Sequence, residues 1–313
     1  MKAKKLIVGM AVFSFAALLL GGCGSDNNSA DSSSTNETTS QSSTVASSTA
    51  TSESEATVVA GAPMQDGTYK LEEKNYKNDY RVSFEITVVD GKITESKYDN
   101  INADGESKTE NTEYNETMKE KAGISPEEFI PKFNEELVAA QSPSSIEVVS
   151  GATHSFDSFQ NYAQQLIQAA QAGNTDTIEI DNGADLQNGT YTLEEKNYSN
   201  GYRVVFSMTV ADGKIAESNY DYLNEAGESK KDDTEYNENM EAKSGTGPEE
   251  FIPNFNEAFV SAVNAEDGSV ADMDVVSGAT HSFHSFVIYA QQLLNAAEKG
   301  DQTTIEVDNF VTE

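Results

Sequence analysis

Tryptophan is absent from this 313-residue sequence, cysteine occurs once and histidine three times. A single cysteine closes no disulfide within the chain, so the folded part is held by core packing even where oxidation would permit bridges. The same scarcity excludes a zinc or iron–sulfur site built on cysteine. The histidines, His154, His281 and His284, are too few and wrongly placed for a metal centre. Cations are scarce too: 20 Lys and Arg face 53 Asp and Glu, a net charge of −33. Such a surface repels a phosphate backbone and excludes nucleic acid as a partner. Its plain meaning is solubility, and scattered acids alone do not define a metal site. There is no Ser/His/Asp triad, no Gly-rich phosphate cradle and no acid pair placed for hydrolysis, so no residue is assigned as acid, base or nucleophile. Without Trp, stacking on a flat ligand falls to Tyr or Phe.

The N-terminus has the layout of an export signal. Met1 to Lys5 is basic, and Leu6 to Leu20 is an uncharged apolar run, too short to favour a membrane span. It ends in Leu20-Gly21-Gly22-Cys23, which resembles the lipobox of bacterial lipoproteins, in which the cysteine is diacylated and becomes the first mature residue. The resemblance implies lipid attachment at Cys23 and a membrane contact through that anchor only. Residues 24–60 are dominated by Ser, Thr, Ala and small acids. They offer too little apolar surface to offset ordering entropy, so a flexible tether is expected, with a mean span of roughly 35 Å. The organisation expected is a signal peptide at 1–22, lipidated Cys and tether at 23–60, and domains at 61–183 and 184–313.

Those two domains are copies. Asp66-Gly-Thr-Tyr-Lys-Leu-Glu-Glu-Lys-Asn-Tyr76 is echoed by Asn188-Gly-Thr-Tyr-Thr-Leu-Glu-Glu-Lys-Asn-Tyr198, and Gly67 and Gly189 stand 122 residues apart. The spacing widens to 127 further on, which places a short insertion near Ala265–Gly268. In each copy an alternating segment (Tyr80, Val82, Phe84, Ile86, Val88) predicts a half-buried strand. Asp90-Gly91 predicts a hairpin turn, and Lys92 to Tyr98 the returning strand. Asn100 to Lys121 is polar and reads as loop with a short helix. Ser125-Pro126-Glu127-Glu128 is a capping box with proline at the first helical position, and Pro131 is expected to break or kink that helix. Ile146 to Val149 reads as a short strand or extended entry, and Phe156 to Ala170 as an amphipathic helix. Thr177 to Ile180 reads as a closing strand. The fold class is α+β: two tandem domains, each a small, mostly antiparallel sheet packed with helices.

The string Ser-Gly-Ala-Thr-His-Ser-Phe occurs at 150–156 and again at 277–283, each time between an extended apolar segment and an amphipathic helix. Gly151 permits a sharp turn and a close approach to backbone, Ala152 removes bulk, and Thr153 presents a hydroxyl as the helix begins. First-turn N–H groups and the helix dipole would stabilise a phosphate on that oxygen without Lys or Arg. Ser277, Gly278, Ala279 and Thr280 repeat the arrangement. The plainer reading is that the hydroxyl merely caps the helix. Duplication weighs against it, as does an acid six residues before each threonine, Glu147 and Asp274.

Here the chain resembles the family of FMN-binding domains, whose pattern is Asp-x-x-Ser/Thr-Gly-Ala-Thr/Ser. Asp274-Val-Val-Ser-Gly-Ala-Thr280 matches it throughout; Glu147-Val-Val-Ser-Gly-Ala-Thr153 has Glu for Asp and keeps the charge. The resemblance implies that a flavin transferase joins one FMN through its phosphate to each of Thr153 and Thr280, with Glu147 and Asp274 in its recognition motif. Together with lipobox and tether, the layout resembles extracellular electron-transfer flavolipoproteins of Gram-positive bacteria. That implies an electron carrier rather than an enzyme, on the outer face of the cell membrane. Its donor would be a membrane quinol-linked dehydrogenase and its acceptors ferric iron or quinones. Two rivals stay open: a surface binding or adhesion lipoprotein whose loops are plain helix caps, and a precursor whose signal peptide is the active product. The acidic surface is expected to disfavour a reduced, anionic flavin. His154 and His281 are expected neutral at a helix N-terminus and more suited to bracing the loop by a hydrogen bond than to holding FMN. Tyr114 and Tyr236 could stack on a flavin, as could the pairs Tyr76/Tyr198, Tyr80/Tyr202 and Tyr98/Tyr220, although packing is the commoner role of such rings.

Overall fold

The computed structural model describes residues 58–312; the expected signal peptide, Cys23 and the tether up to residue 57 lie outside the described residues. The expected tether is shortened at its far end. Val58–Ala60 forms a strand, β1, that pairs antiparallel with a strand at 311–312. Valine is a strand former, and the Ser/Thr-rich composition has already given way to Val58-Val59 here.

The first repeat builds β2 (Gly67–Glu73), β3 (Arg81–Val89), β4 (Lys92–Ile101), α1 (Thr112–Ala122), α2 (Pro126–Ala140), α3 (Thr153–Ala172) and β5 (Ile178–Ile180). The sheet order is β4-β3-β2-β5, antiparallel except for the parallel β2–β5 pair. The second repeat gives β6 (Gly189–Glu195), β7 (Arg203–Ala211), β8 (Lys214–Leu223), α4 (Thr234–Ser244), α5 (Pro248–Val263), α6 (Thr280–Lys299) and β9 (Ile305–Val307), then β10 (Val311–Thr312), with sheet order β8-β7-β6-β9. Each is a mostly antiparallel sheet covered by helices, an α+β architecture.

Alternation along β3 buries Val82, Phe84, Ile86 and Val88, and these meet the apolar faces of α2 and α3. At the centre Phe159 stacks between Phe84 and Phe133, with ring centroids 5.3 and 5.0 Å away, and the edge of Tyr98 closes the cluster. Burying each such ring contributes about 1.5–3 kcal/mol. The β3–β4 turn has Asp90 at φ 52° and Gly91 at φ 72°, the left-handed pair of a type I′ hairpin.

One expectation is corrected and two are refined. Pro131 does not break α2, which runs on to Ala140; the ring lies on the exposed face, and the carbonyl it leaves unpaired, that of Glu127, is in the water-facing first turn. Of the two readings for Ile146 to Val149, the extended entry holds, since the segment pairs with no strand. The polar stretch 100–121 is more ordered than its composition suggests. Strand β4 runs to Ile101, and α1 has eleven residues. Asn115, 2% exposed, explains the order. Its Nδ2 donates to the carbonyls of Thr109 and Asn111 at 2.8 and 2.9 Å, and its Oδ1 accepts from Glu127 N–H at 3.1 Å. The buried amide thus stitches α1 to α2.

The repeats also meet each other. Asn161 Nδ2 on α3 donates to Asn295 Oδ1 on α6 at 2.9 Å, and Gln165 Nε2 to the same oxygen at 3.1 Å. Gln171 Nε2 donates to the Asp308 carbonyl at 2.8 Å.

Candidate functional site

Both Ser-Gly-Ala-Thr segments fold alike. Ala152 N–H donates to the Val149 carbonyl at 3.0 Å, closing a four-residue turn with Gly151 at φ 85°. Ala279 N–H donates to Val276 at 3.1 Å, with Gly278 at φ 84°. Positive φ at the third position demands glycine in a type II turn. The demand is doubled by crowding: a Cβ on Gly151 would stand 2.3 Å from the Ala122 carbonyl oxygen, and one on Gly278 2.2 Å from that of Ser244. The C-terminal ends of α1 and α4 therefore press directly on the turns.

The turn delivers Ala152, not Thr153, to the position that caps α3. The Ala152 carbonyl accepts the first helical bond, from Phe156 N–H at 2.9 Å, and no side chain caps the helix. The second copy does the same with Ala279 and Phe283. By contrast, Asn111 and Asp233 cap α1 and α4 with side-chain acceptors. This decides against the plain helix-cap reading. Thr153 and Thr280 are the first helical residues, exposed, with hydroxyls that satisfy no first-turn donor. The N–H groups of Thr153, His154 and Ser155 stay without a side-chain acceptor at the positive end of a twenty-residue helix. Ser150, Ser277, Glu147 and Asp274 are also exposed on the approach to the turn, whereas Ala152 and Ala279 are buried beneath it.

Beside the second copy lies a cavity of about 300 Å³. His281 and Ser282, next to Thr280, line it with Tyr202, Tyr222, Lys230 and Tyr236. The first repeat contributes Ser142, Ser144 and Gln164 to its wall. Lys230 is 9% exposed. Its Nζ stands over three rings, 4.0 Å from the centroid of Tyr236 and 5.1 Å from those of Tyr202 and Tyr222. In the first repeat Lys108 Nζ stands over Tyr114 at 4.2 Å and Tyr80 at 5.0 Å; the residue matching Tyr222 is Asn100. Deeper in the same cavity, Glu195 accepts from Tyr289 Oη at 2.7 Å and from Val204 N–H at 2.9 Å. Burial raises its carboxyl, and those two hydrogen bonds oppose the rise. Glu73 is held identically by Tyr162 and Val82. Burial pushes the Tyr222 phenol up to about 12, so that hydroxyl stays protonated at neutral pH.

The structure sorts the sequence candidates. Tyr114, Tyr236, Tyr80 and Tyr202 come together at the lysines. Tyr98 and Tyr220 are core, and Tyr76 and Tyr198 lie out on the surface beside Arg81 and Arg203. His154 and His281 are exposed, and among the described residues no hydrogen bond ties either ring to the loop, so the expected brace is absent. Lys108, Lys230 and the Glu73/Glu195 carboxylates went unread in the sequence. Their signal was available: Gly-Glu-Ser-Lys is itself duplicated, at 105–108 and 227–230, in a chain with few cations.

The fold and loop define a class: a small α+β domain presenting a hydroxyl at an uncapped helix start, in two copies, the second beside a tyrosine-lined cavity. The match to a family model and to a curated relative agrees with it. The family described as FMN-binding domain matches residues 76–168. A 15 kDa lipoprotein of Treponema pallidum is 32% identical over 123 residues, 39% of this chain and 84% of that protein. A crystal structure of a Clostridium perfringens protein is 36% identical, spans 40% of this chain and 98% of its own, and has a TM-score of 0.36. A solution structure from Clostridium thermocellum is 26% identical over 34% of this chain and 92% of its own, with a TM-score of 0.24. This chain belongs to the family of FMN-binding domains.

The residues present fit FMN. Its phosphate needs donors, and the uncapped first turn supplies N–H groups with no side-chain rival. Its flat ring needs an apolar, aromatic surface, and the cavity beside Thr280 supplies tyrosines. When bound, FMN supplies the redox chemistry; this chain's residues supply position and charge.

Proposed function

We propose that this chain is a lipid-anchored cell-surface flavoprotein. It holds two FMN groups, each joined through its phosphate to the Thr153 or Thr280 oxygen by a flavin transferase. It passes electrons from a membrane quinol-linked dehydrogenase to extracellular acceptors such as ferric iron or quinones. The observation that carries the reading is the exposed threonine at the first position of an uncapped helix, reproduced in both repeats behind a glycine that the backbone requires. The lipobox-like Leu20–Cys23 and the Treponema pallidum relative, itself called a lipoprotein, support the anchor.

Covalent attachment suits an exported carrier. Retaining a free cofactor at nanomolar concentration needs about −12 kcal/mol of binding free energy, and an ester bond removes that demand. On this reading the protein acts as a carrier rather than a catalyst. Intact mass of chains made with and without the transferase tests the reading. Two FMN-sized increments are expected, one lost in Thr153→Ala and one in Thr280→Ala. A colourless chain without added mass on either threonine-bearing peptide refutes it.

A further inference from the structure

Two caged lysines have no part in the attachment described above: Lys230 lines the cavity beside Thr280, and Lys108 is its counterpart in the first repeat. The sequence holds 53 acidic residues, but among the described residues neither Lys108 nor Lys230 is ion-paired with a carboxylate. Tyrosine faces surround them instead. Asp233, close to the second cage, makes no direct ion pair but lies within electrostatic reach of the Lys230 charge; it accepts from Tyr202 Oη at 2.8 Å and from Tyr236 N–H at 3.0 Å. Glu195, in the same cavity, is tied to Tyr289 and Val204. Aromatic faces hold a cation in place without neutralising it. Lys230 is therefore a nearly buried positive charge on a cavity wall, next to the residues that follow Thr280.

Resting on the flavin reading above, we propose that the caged lysine faces the electron-rich end of each flavin ring, and that Lys230, held by three tyrosines, favours the reduced ring more than Lys108, held by two. The two repeats then hold flavins of unequal potential, with electrons settling on the second. Full reduction of the ring takes up two electrons and one proton and leaves one added negative charge on it. A nearby ammonium stabilises that form over the oxidised one. The stabilisation is larger where water is excluded and smaller at half-buried Lys108, where solvent and salt screen it. A local cation thus opposes the field of the acidic surface.

The test uses the full chain with Thr153→Ala, flavinylated at Thr280, in a spectroelectrochemical titration. Lys230→Met, which keeps the apolar stem and removes the charge, should weaken the preference for the reduced ring about tenfold. For a two-electron couple that lowers the potential by about 30 mV. Lys230→Arg should restore most of it. Lys108→Met in the Thr280→Ala chain should shift its flavin less. An unchanged potential in Lys230→Met overturns the proposal, even if thermal stability falls, because a purely structural lysine would lower stability alone. Equal shifts at the two sites overturn the inequality. Peptide mass at Thr280 scores the attachment separately. If no FMN is found there, calorimetry of free FMN with the unmodified chain, oxidised and dithionite-reduced, reads the same preference. A ratio that ignores Lys230→Met then refutes the lysine's role.

Discussion

Helices α3 and α6 begin with the same Thr-His-Ser-Phe and then part company. Asp157 faces His284 in the alignment, Gln160 faces Val287, and Asn161 faces Ile288. The sheets differ near the same place: Asn100 stands where Tyr222 does, and the cap Asn111 where Asp233 does. Everything that makes the turn is kept, including the glycine and the carbonyl that crowds it, while the surroundings of the threonine have drifted in charge and aromatic content. On the function proposed above, a duplicated threonine in two different environments is what a carrier needs if its two cofactors are to differ.

The comparison breaks most sharply in the core. Phe159 and Phe286 occupy equivalent, fully buried positions. The second has richer company, with Phe259 at 5.7 Å where the first repeat has Leu137. Phe159→Ala and Phe286→Ala should each cost about 3–5 kcal/mol. If the repeats fold as separate units, urea unfolding of either variant will show two steps, with only the altered repeat melting early. One shared transition, shifted as a whole, would show that the α3–α6 contact couples them into one cooperative body.

Much of this was legible in the sequence, and the gaps have physical causes. Strands β3 and β4, the hairpin at Asp90-Gly91 and the long helix after Thr153 follow from period-2 and period-3.6 patterns, which local sequence carries. The doubled motif singled out the threonines, which the structure places at the first positions of α3 and α6. Ala152 as the capping residue was not legible, because one residue of shift depends on the turn closing from Val149 to Ala152. The short helix expected there is α1, but the source of its order was not legible, because it comes from Asn115, a buried amide whose partners lie up to twelve residues away. The lysine cages escaped for a similar reason: Lys230 and Tyr202 belong to different elements and meet only through the sheet.

A sharper contrast, smaller in energy, lies in how the two repeats answer to pH. Burial raises the Asp157 carboxyl from an ordinary 3.8 to about 6. The folded state then holds that proton more tightly than the unfolded chain. The resulting stability is complete below pH 3.8 and disappears as pH rises through about 6. His284 is lowered, by burial first and then by the charge of His281. Its contribution is present above the unfolded value of 6.5 and declines as pH falls below it. Acid therefore relieves the first repeat and strains the second. Asp157→Asn should stabilise the first repeat at pH 8 by up to about 3 kcal/mol and do nothing near pH 4. His284→Gln should help only on the acid side. Denaturant midpoints at pH 4, 6 and 8 check both, and parallel pH profiles for variants and parent would erase the contrast.

The smallest effect concerns the seam. Asn295 Oδ1 accepts from both Asn161 and Gln165, and its Nδ2 donates to Glu298 at 3.2 Å. Its counterpart on α3 is Gln168, whose Nε2 is buried with no hydrogen-bond partner among the described residues. At this pair of equivalent positions one amide is thus satisfied and the other is not, whereas at Gln165 and Gln292 it is the α3 amide that is paired and the α6 amide that is not. Removing a buried acceptor strands its donors at about 1–2 kcal/mol, whereas removing a group that is already unpaired costs nothing of that kind. Asn295→Ala should loosen the seam by that amount, seen as faster amide exchange along α3. Gln168→Met, of similar volume, should leave it unchanged or tighten it. If Gln168→Met loosens the seam as much as Asn295→Ala does, the two sides are equivalent in solution and the repeats are more symmetric than their hydrogen bonds indicate.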